Sequence, residues 1–107
     1  MKLAYISGPY RGSSERMVFQ NIMAAREVAM KYWARGYAVF CPHTNSMFMG
    51  GVISDKDFLA ADLFFLEMCD TVVMLHNWKS SSGAVAEQLY AEARGKHIIY
   101  EGGEENA

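Results

Sequence analysis

Thr71-Val72-Val73-Met74-Leu75 is apolar throughout after its first residue. A strand with one wet face alternates apolar and polar side chains; an unbroken run predicts a strand covered on both faces, as in parallel sheets. Upstream, Asp55 to Met68 reads as a helix, with Ser54 and Asp57 forming a capping box that has Asp in the usual Glu position. Downstream come a polar loop, His76 to Ser82, and a helix from Gly83 to Arg94 ended by Gly95. His97 to Tyr100 follows as a strand, read as an inner one with a structural His97. Toward the N-terminus, Tyr37 to Cys41 is a strand stopped by Pro42, and Leu3 to Ser7 is a strand ending at Gly8-Pro9. Between them a helix begins at Ser13 or Ser14, with Glu15 in its first turn, and runs to Arg35 before Gly36. Val18, Ile22, Ala25, Ala29 and Tyr32 give that helix one buried stripe.

The resulting order, β-α-β-α-β-α-β, predicts an α/β fold. We expect a three-layer α/β/α sandwich on a mainly parallel sheet of four to five strands, flavodoxin-like or Rossmann-like. Residues 1–100 form one domain, and the acidic stretch 101–107 is expected to be a flexible tail. An apolar content of 51% excludes intrinsic disorder. A net charge of −2 supplies no basic field for long nucleic acid or an anionic membrane. No apolar run reaches the roughly 18 residues of a membrane span, and the N-terminus lacks a signal-peptide pattern. Cys41 and Cys69 sit in apolar settings and read as buried free thiols of a cytoplasmic protein. Helix 55–68 is apolar nearly all round, which predicts a subunit interface and a homodimer or larger homo-oligomer.

Ligands of parallel sheets lie beyond the carboxyl ends of the strands, so the candidate residues are those delivered there. The first strand delivers Gly8-Pro9-Tyr10-Arg11-Gly12-Ser13-Ser14. Glycines let a backbone approach a ligand, and a forked guanidinium with helix amides suits an anion. A tight turn with a surface Arg explains the same residues. The third strand delivers Ser81-Ser82-Gly83-Ala84-Val85-Ala86-Glu87. Its small residues leave room beside the helix start, whose dipole would favour an ionised Glu87 able to attack a sugar carbon. A solvated first-turn Glu is the alternative.

Asp62, on the border of an apolar stripe with Phe58, Phe65 and Cys69, is expected to have a raised pKa and to donate a proton, or else to pair with a Lys or Arg. Asp70 opens its strand at the opposite edge and reads as a structural turn residue. Cys41, His43, Cys69 and His76 lack metal-site spacing, so no metal is expected. The stretch His43 to Ser54 is long for an α/β connection, and its Met47-Phe48-Met49 would either cover a bound base or meet another subunit.

Taken together, these segments resemble the nucleoside 2-deoxyribosyltransferase superfamily, including its 2′-deoxynucleoside 5′-phosphate N-hydrolase branch and small phage-associated relatives. Tyr5-Ile6-Ser7-Gly8-Pro9-Tyr10-Arg11-Gly12, the helix residue Asp62, and Ser81-x-Gly83-x-x-x-Glu87 carry the likeness. It implies cleavage or transfer of the N-glycosidic bond of a (deoxy)nucleoside 5′-monophosphate, without a cofactor. Glu87 would form a glycosyl-enzyme ester, Tyr5 would orient it, and Asp62 would hold the sugar or protonate the leaving base. Gly8, Pro9, Tyr10, Arg11, Gly12, Ser81 and Gly83 would hold the phosphate and substrate. A group that neighbouring subunits lend in that family has only Asn106 as a candidate counterpart. A catalytically silent nucleotide-binding or sensing module is the alternative function.

Overall fold

The structure, a computed structural model, describes residues 1–103; residues 104–107, and with them Asn106, lie outside the described part. The elements are β1 (Leu3–Ser7), α1 (Glu15–Ala34), β2 (Ala38–Phe40), α2 (Pro42–Asn45), α3 (Asp55–Glu67), β3 (Thr71–Met74), a 3₁₀ turn (Trp78–Ser80), α4 (Ser82–Ala93) and β4 (His97–Tyr100). Four strands form one sheet in the order β2-β1-β3-β4, and every neighbouring pair is parallel.

Alternation along the strands divides the core between the two faces of the sheet. Ala4, Ile6, Val73 and Leu75 pack with Ala25, Ala29 and Tyr32 of α1. Tyr5, Val72 and Met74 pack on the other side with Leu66 of α3 and with Ala84 and Ala91 of α4. All four residues of β3 are buried, as its unbroken apolar run predicts. The chain therefore forms a three-layer α/β/α sandwich, with α1 on one side and α3 and α4 on the other.

The helix ends follow capping chemistry. Ser14, Ser54 and Ser81 each accept from the amide three residues on, at Met17, Asp57 and Ala84. Gly36, at φ +94°, follows the end of α1 in the left-handed conformation that a Cβ disfavours. Leu3 N–H donates to Asp70 Oδ2 at 2.9 Å, which gives Asp70 the structural role expected of it.

Three expectations need correction. Among the described residues β4 bonds only to β3, so it is an edge strand, and His97 is exposed rather than internal. The connection after β2 is not all loop: Pro42 opens the short helix α2, and Cys41 is its N-cap. Glu101 is not part of a free tail. Its amide donates to Met74 O, and its carboxylate accepts from Tyr32 Oη at 2.7 Å and pairs with Lys31.

Among the described residues no helix is long and apolar enough to cross a membrane. Both cysteines are buried and unpaired. On α3, Phe64 is 70% exposed and Leu59 about half exposed, as is Met68, the C-cap that follows the helix.

Candidate active site

Strands β1 and β3 are adjacent, yet the chain leaves them in opposite directions, β1 toward β2 and β3 toward β4. That reversal opens a crevice at their carboxyl ends. A cleft of ≈ 790 Å³ occupies this position. It is lined by Tyr5, Gly8, Pro9, Tyr10, Arg11, Gly12, Asp62, Ser81, Gly83 and Glu87, so every site residue expected from the sequence meets there. Phe58 and Leu59 of α3 and Met17 and Val18 of α1 add apolar walls.

Glu87 is the centre of the cleft's chemistry. It is only 8% exposed. Tyr5 Oη donates to its Oε2 at 2.7 Å, and Ser7 Oγ donates to its Oε1 at 2.7 Å. Both donors come from β1; residues two apart share a strand face, and this face looks toward α4. Burial pushes the Glu87 carboxyl above its ordinary value, while the Ser7 and Tyr5 hydroxyls pull it back down. Burial and the neighbouring carboxylates Glu87 and Asp62 raise Tyr5 far above the usual phenol range, so it stays a donor.

The helix-dipole rationale for Glu87 needs revision. With Ser82 as first residue of α4, Glu87 is the sixth, and no acidic residue occupies the first turn. The dipole acts mainly within that turn. Two hydroxyl donors therefore do what the dipole was expected to do.

Asp62 is half-buried on α3. Burial, and then the negative charge of Glu87, push its carboxyl up to about 7. A carboxyl with that value holds a proton for part of the time near neutrality and can give it up, which is what a general acid needs.

The loop after β1 forms the opposite wall. Packing alone already requires its glycines. A Cβ on Gly8 would lie 2.7 Å from Cγ and 2.9 Å from Cβ of Leu75, and one on Gly12 would lie 2.5 Å from Met17 Cβ. Arg11 does not stand free as an anion fork: it is paired with Asp55, the first residue of α3, and both side chains are largely exposed. Ser81 caps α4 through its lone pair, which leaves its O–H free to donate.

Four residues of the site were not singled out for it in the sequence. Ser7 is identifiable by its period of two with Tyr5. Asp55 opens a helix whose N-terminus lies at the cleft. Asn21 interrupts the apolar stripe of α1 and donates to the Tyr10 and Arg11 carbonyls. His43 is buried, lies 2.9 Å through Nε2 from Pro9 O, and has its pKa lowered by that burial.

The four residues weighed as metal ligands do not converge. Cys41 follows β2 at the carboxyl edge of the sheet, and Cys69 precedes β3 at the amino edge. Among the described residues no three His, Cys, Asp or Glu side chains form a metal-holding group.

The chain matches, over residues 1–100, the family described as a domain of unknown function, DUF4406, and it belongs to that family. No curated protein matches it.

Proposed function

We propose that this DUF4406 protein cleaves or transfers the N-glycosidic bond of a (deoxy)nucleoside 5′-monophosphate, with Glu87 as nucleophile. The observation that carries this reading is a nearly buried carboxylate, fixed by two hydroxyl donors, at the floor of a cleft that also holds a second carboxyl with a raised pKa.

One Oε atom of Glu87 attacks the anomeric carbon of the sugar. The C–N bond breaks, and its electron pair goes to the base nitrogen. Protonated Asp62 supplies the proton that neutralises the departing base. The product is a glycosyl ester on Glu87 and an ionised Asp62. A water molecule then attacks the same carbon, Asp62 takes its proton, and Glu87 leaves as a carboxylate. A second base in place of water gives transfer. Two displacements at one carbon return its original configuration. The transition state is oxocarbenium-like, so the fixed negative charge of Glu87 favours it before any covalent bond is complete.

Tyr5 and Ser7 hold the carboxylate in one orientation, which limits the reorganisation needed at the moment of attack. Phe58, Leu59, Met17 and Val18 offer apolar contact for a base. Arg11, the Ser81 hydroxyl and the loop amides face the position of a 5′-phosphate, and Arg11 reaches it by exchanging Asp55 for the ligand. The apolar outer face of α3 with Phe64, continued by the C-cap Met68, serves assembly with a second copy; sedimentation of the wild type against Phe64→Glu reads this directly.

The deciding experiment incubates the protein with a panel of deoxynucleoside 5′-monophosphates and follows free base by chromatography. Release by the wild type, abolished in Glu87→Ala, is the expected result. No release from any nucleotide, or equal release by the variant, overturns the assignment. Nucleotide binding without release would leave the protein a binding module.

A further inference from the structure

The loop after β1 is held by two side chains that take no part in the proposed chemistry. His43 Nε2 lies 2.9 Å from the carbonyl of Pro9. A carbonyl only accepts, so Nε2 carries the proton, and Nδ1 of the neutral ring is an acceptor. That Nδ1 is buried and has no partner among the described residues. An orphaned buried acceptor weakens a fold, and an apolar side chain of similar volume would avoid the loss. What the imidazole adds is the single donor aimed at Pro9.

Asn21 completes the arrangement from α1. Its Nδ2 donates to the carbonyls of Tyr10 and Arg11, each at 3.1 Å. Three consecutive carbonyls are thus fixed by side chains from two helices. The peptide bonds here are trans, and in a trans peptide the N–H points opposite to the C=O of the same unit. The amides of Tyr10, Arg11 and Gly12 therefore turn away from His43 and Asn21. No acceptor among the described residues takes them. Successive unpaired amides on one loop are a donor set suited to a phosphate. The loop is steadied further on the α2 side: the Tyr10 ring lies against His43 at 5.8 Å between centroids, and its hydroxyl accepts from Phe48 N–H at 3.2 Å.

We propose that His43 and Asn21 are positioning residues that set the direction of the Tyr10–Gly12 amides, and so make the cleft prefer a substrate with an anionic group over its uncharged counterpart. The proposal rests on the glycosidase reading and adds to it the source of discrimination between nucleotide and nucleoside. Neither residue acts on the reacting bond.

The test compares wild type, His43→Phe, His43→Gln and Asn21→Ala. Each is assayed on a deoxynucleoside 5′-monophosphate and on the matching nucleoside, and each is titrated with inorganic phosphate by calorimetry. His43→Phe and Asn21→Ala should lose about ten-fold or more in kcat/KM on the monophosphate, mainly through KM, with about two-fold or less on the nucleoside. His43→Gln, which keeps a donor near the same place, should recover most of the loss. Equal losses on both substrates, no loss on either, or a wild type that prefers the nucleoside overturns the proposal.

If His43→Phe does not fold, Asn21→Ala, on another helix and only half-buried, decides alone. If the wild type cleaves nothing, the glycosidase reading fails and the phosphate titration decides. Binding by the wild type that weakens in the variants upholds the positioning role; equal binding by all, or none by the wild type, refutes it.

Discussion

Ser7 Oγ lies 2.7 Å from Glu87 Oε1, so the last residue of β1 is joined to the second turn of α4 across the floor of the cleft. The bond lowers the cost of ionising a carboxyl that burial pushes above its ordinary value. Ser7→Ala removes one of the two donors. We expect kcat/KM to fall by about 10- to 100-fold, the range of a hydrogen bond to a charged group. The acid limb of the pH–rate profile should move to higher pH, because the remaining carboxylate is less stabilised. An unchanged limb would mean that Tyr5 alone sets the ionisation of Glu87.

Asp62 links stability to pH. Its value in the fold, about 7, lies above the ordinary 3.8. Between those two values the folded chain holds a proton that the unfolded chain has released. Its stabilising contribution is therefore fullest below about 3.8 and is lost as pH rises through about 7. The melting temperature of Asp62→Asn should lack that decline, measured against wild type from pH 4.5 to 8. In the assay, the descending limb of wild-type activity should fall near the same value, where the acid is lost. A decline in melting temperature that survives in Asp62→Asn would assign the dependence to another group.

Arg11 and Asp55 form an exposed pair at the mouth of the cleft. Exposed pairs contribute about 0–1 kcal/mol, so an incoming anion displaces the carboxylate at little cost. Asp55→Asn should tighten binding of inorganic phosphate or a nucleotide by about two- to five-fold at low salt, and by less at high salt. Calorimetry at two ionic strengths reads both effects. Weaker binding in the variant would show instead that Asp55 aims Arg11 at the ligand.

Gly8 has no room for a side chain, because Leu75 fills the space a Cβ would take. Gly8→Ala should destabilise the fold by about 1–3 kcal/mol through overpacking, read by urea unfolding. The double variant Gly8→Ala with Leu75→Ala should recover less than that, since shortening Leu75 leaves its own cavity in the core beneath α1. Full stability in Gly8→Ala would mean that the backbone at Gly8 and Leu75 moves apart, because no rotamer of Leu75 withdraws its Cβ.

Much of this architecture is legible in the sequence because it depends on local pattern. The unbroken run at Thr71 to Leu75 declares a doubly covered strand, and Gly36 marks the stop of α1. Asp62 and Glu87 stand out by residue type and by their place in the chain, and Tyr5 only through the family resemblance. What escapes is set by tertiary register. Ser7 is one polar residue at the end of an apolar strand until α4 brings Glu87 over it. His43, without the spacing of a metal ligand, has no evident role until α2 folds it against Pro9. Gly8 and Gly12 suggest close approach by a ligand, and only the fold shows that the space of a Cβ at each is already taken by Leu75 and Met17. His97 looks internal because Ile98 and Ile99 follow it; only the strand order shows β4 to be an edge.

The alternation along β1 has a practical outcome. Ala4 and Ile6 belong to the layer beneath α1, and Tyr5 and Ser7 to the layer that holds Glu87. The sheet acts as a partition wall, with the proposed chemistry in one room and much of the ballast in the other. If Glu87 acts as proposed, Ala25 and Ala29, which do not line the cleft, can be remodelled to toughen the fold, provided that Met17, Val18 and Asn21 at the other end of α1 are kept.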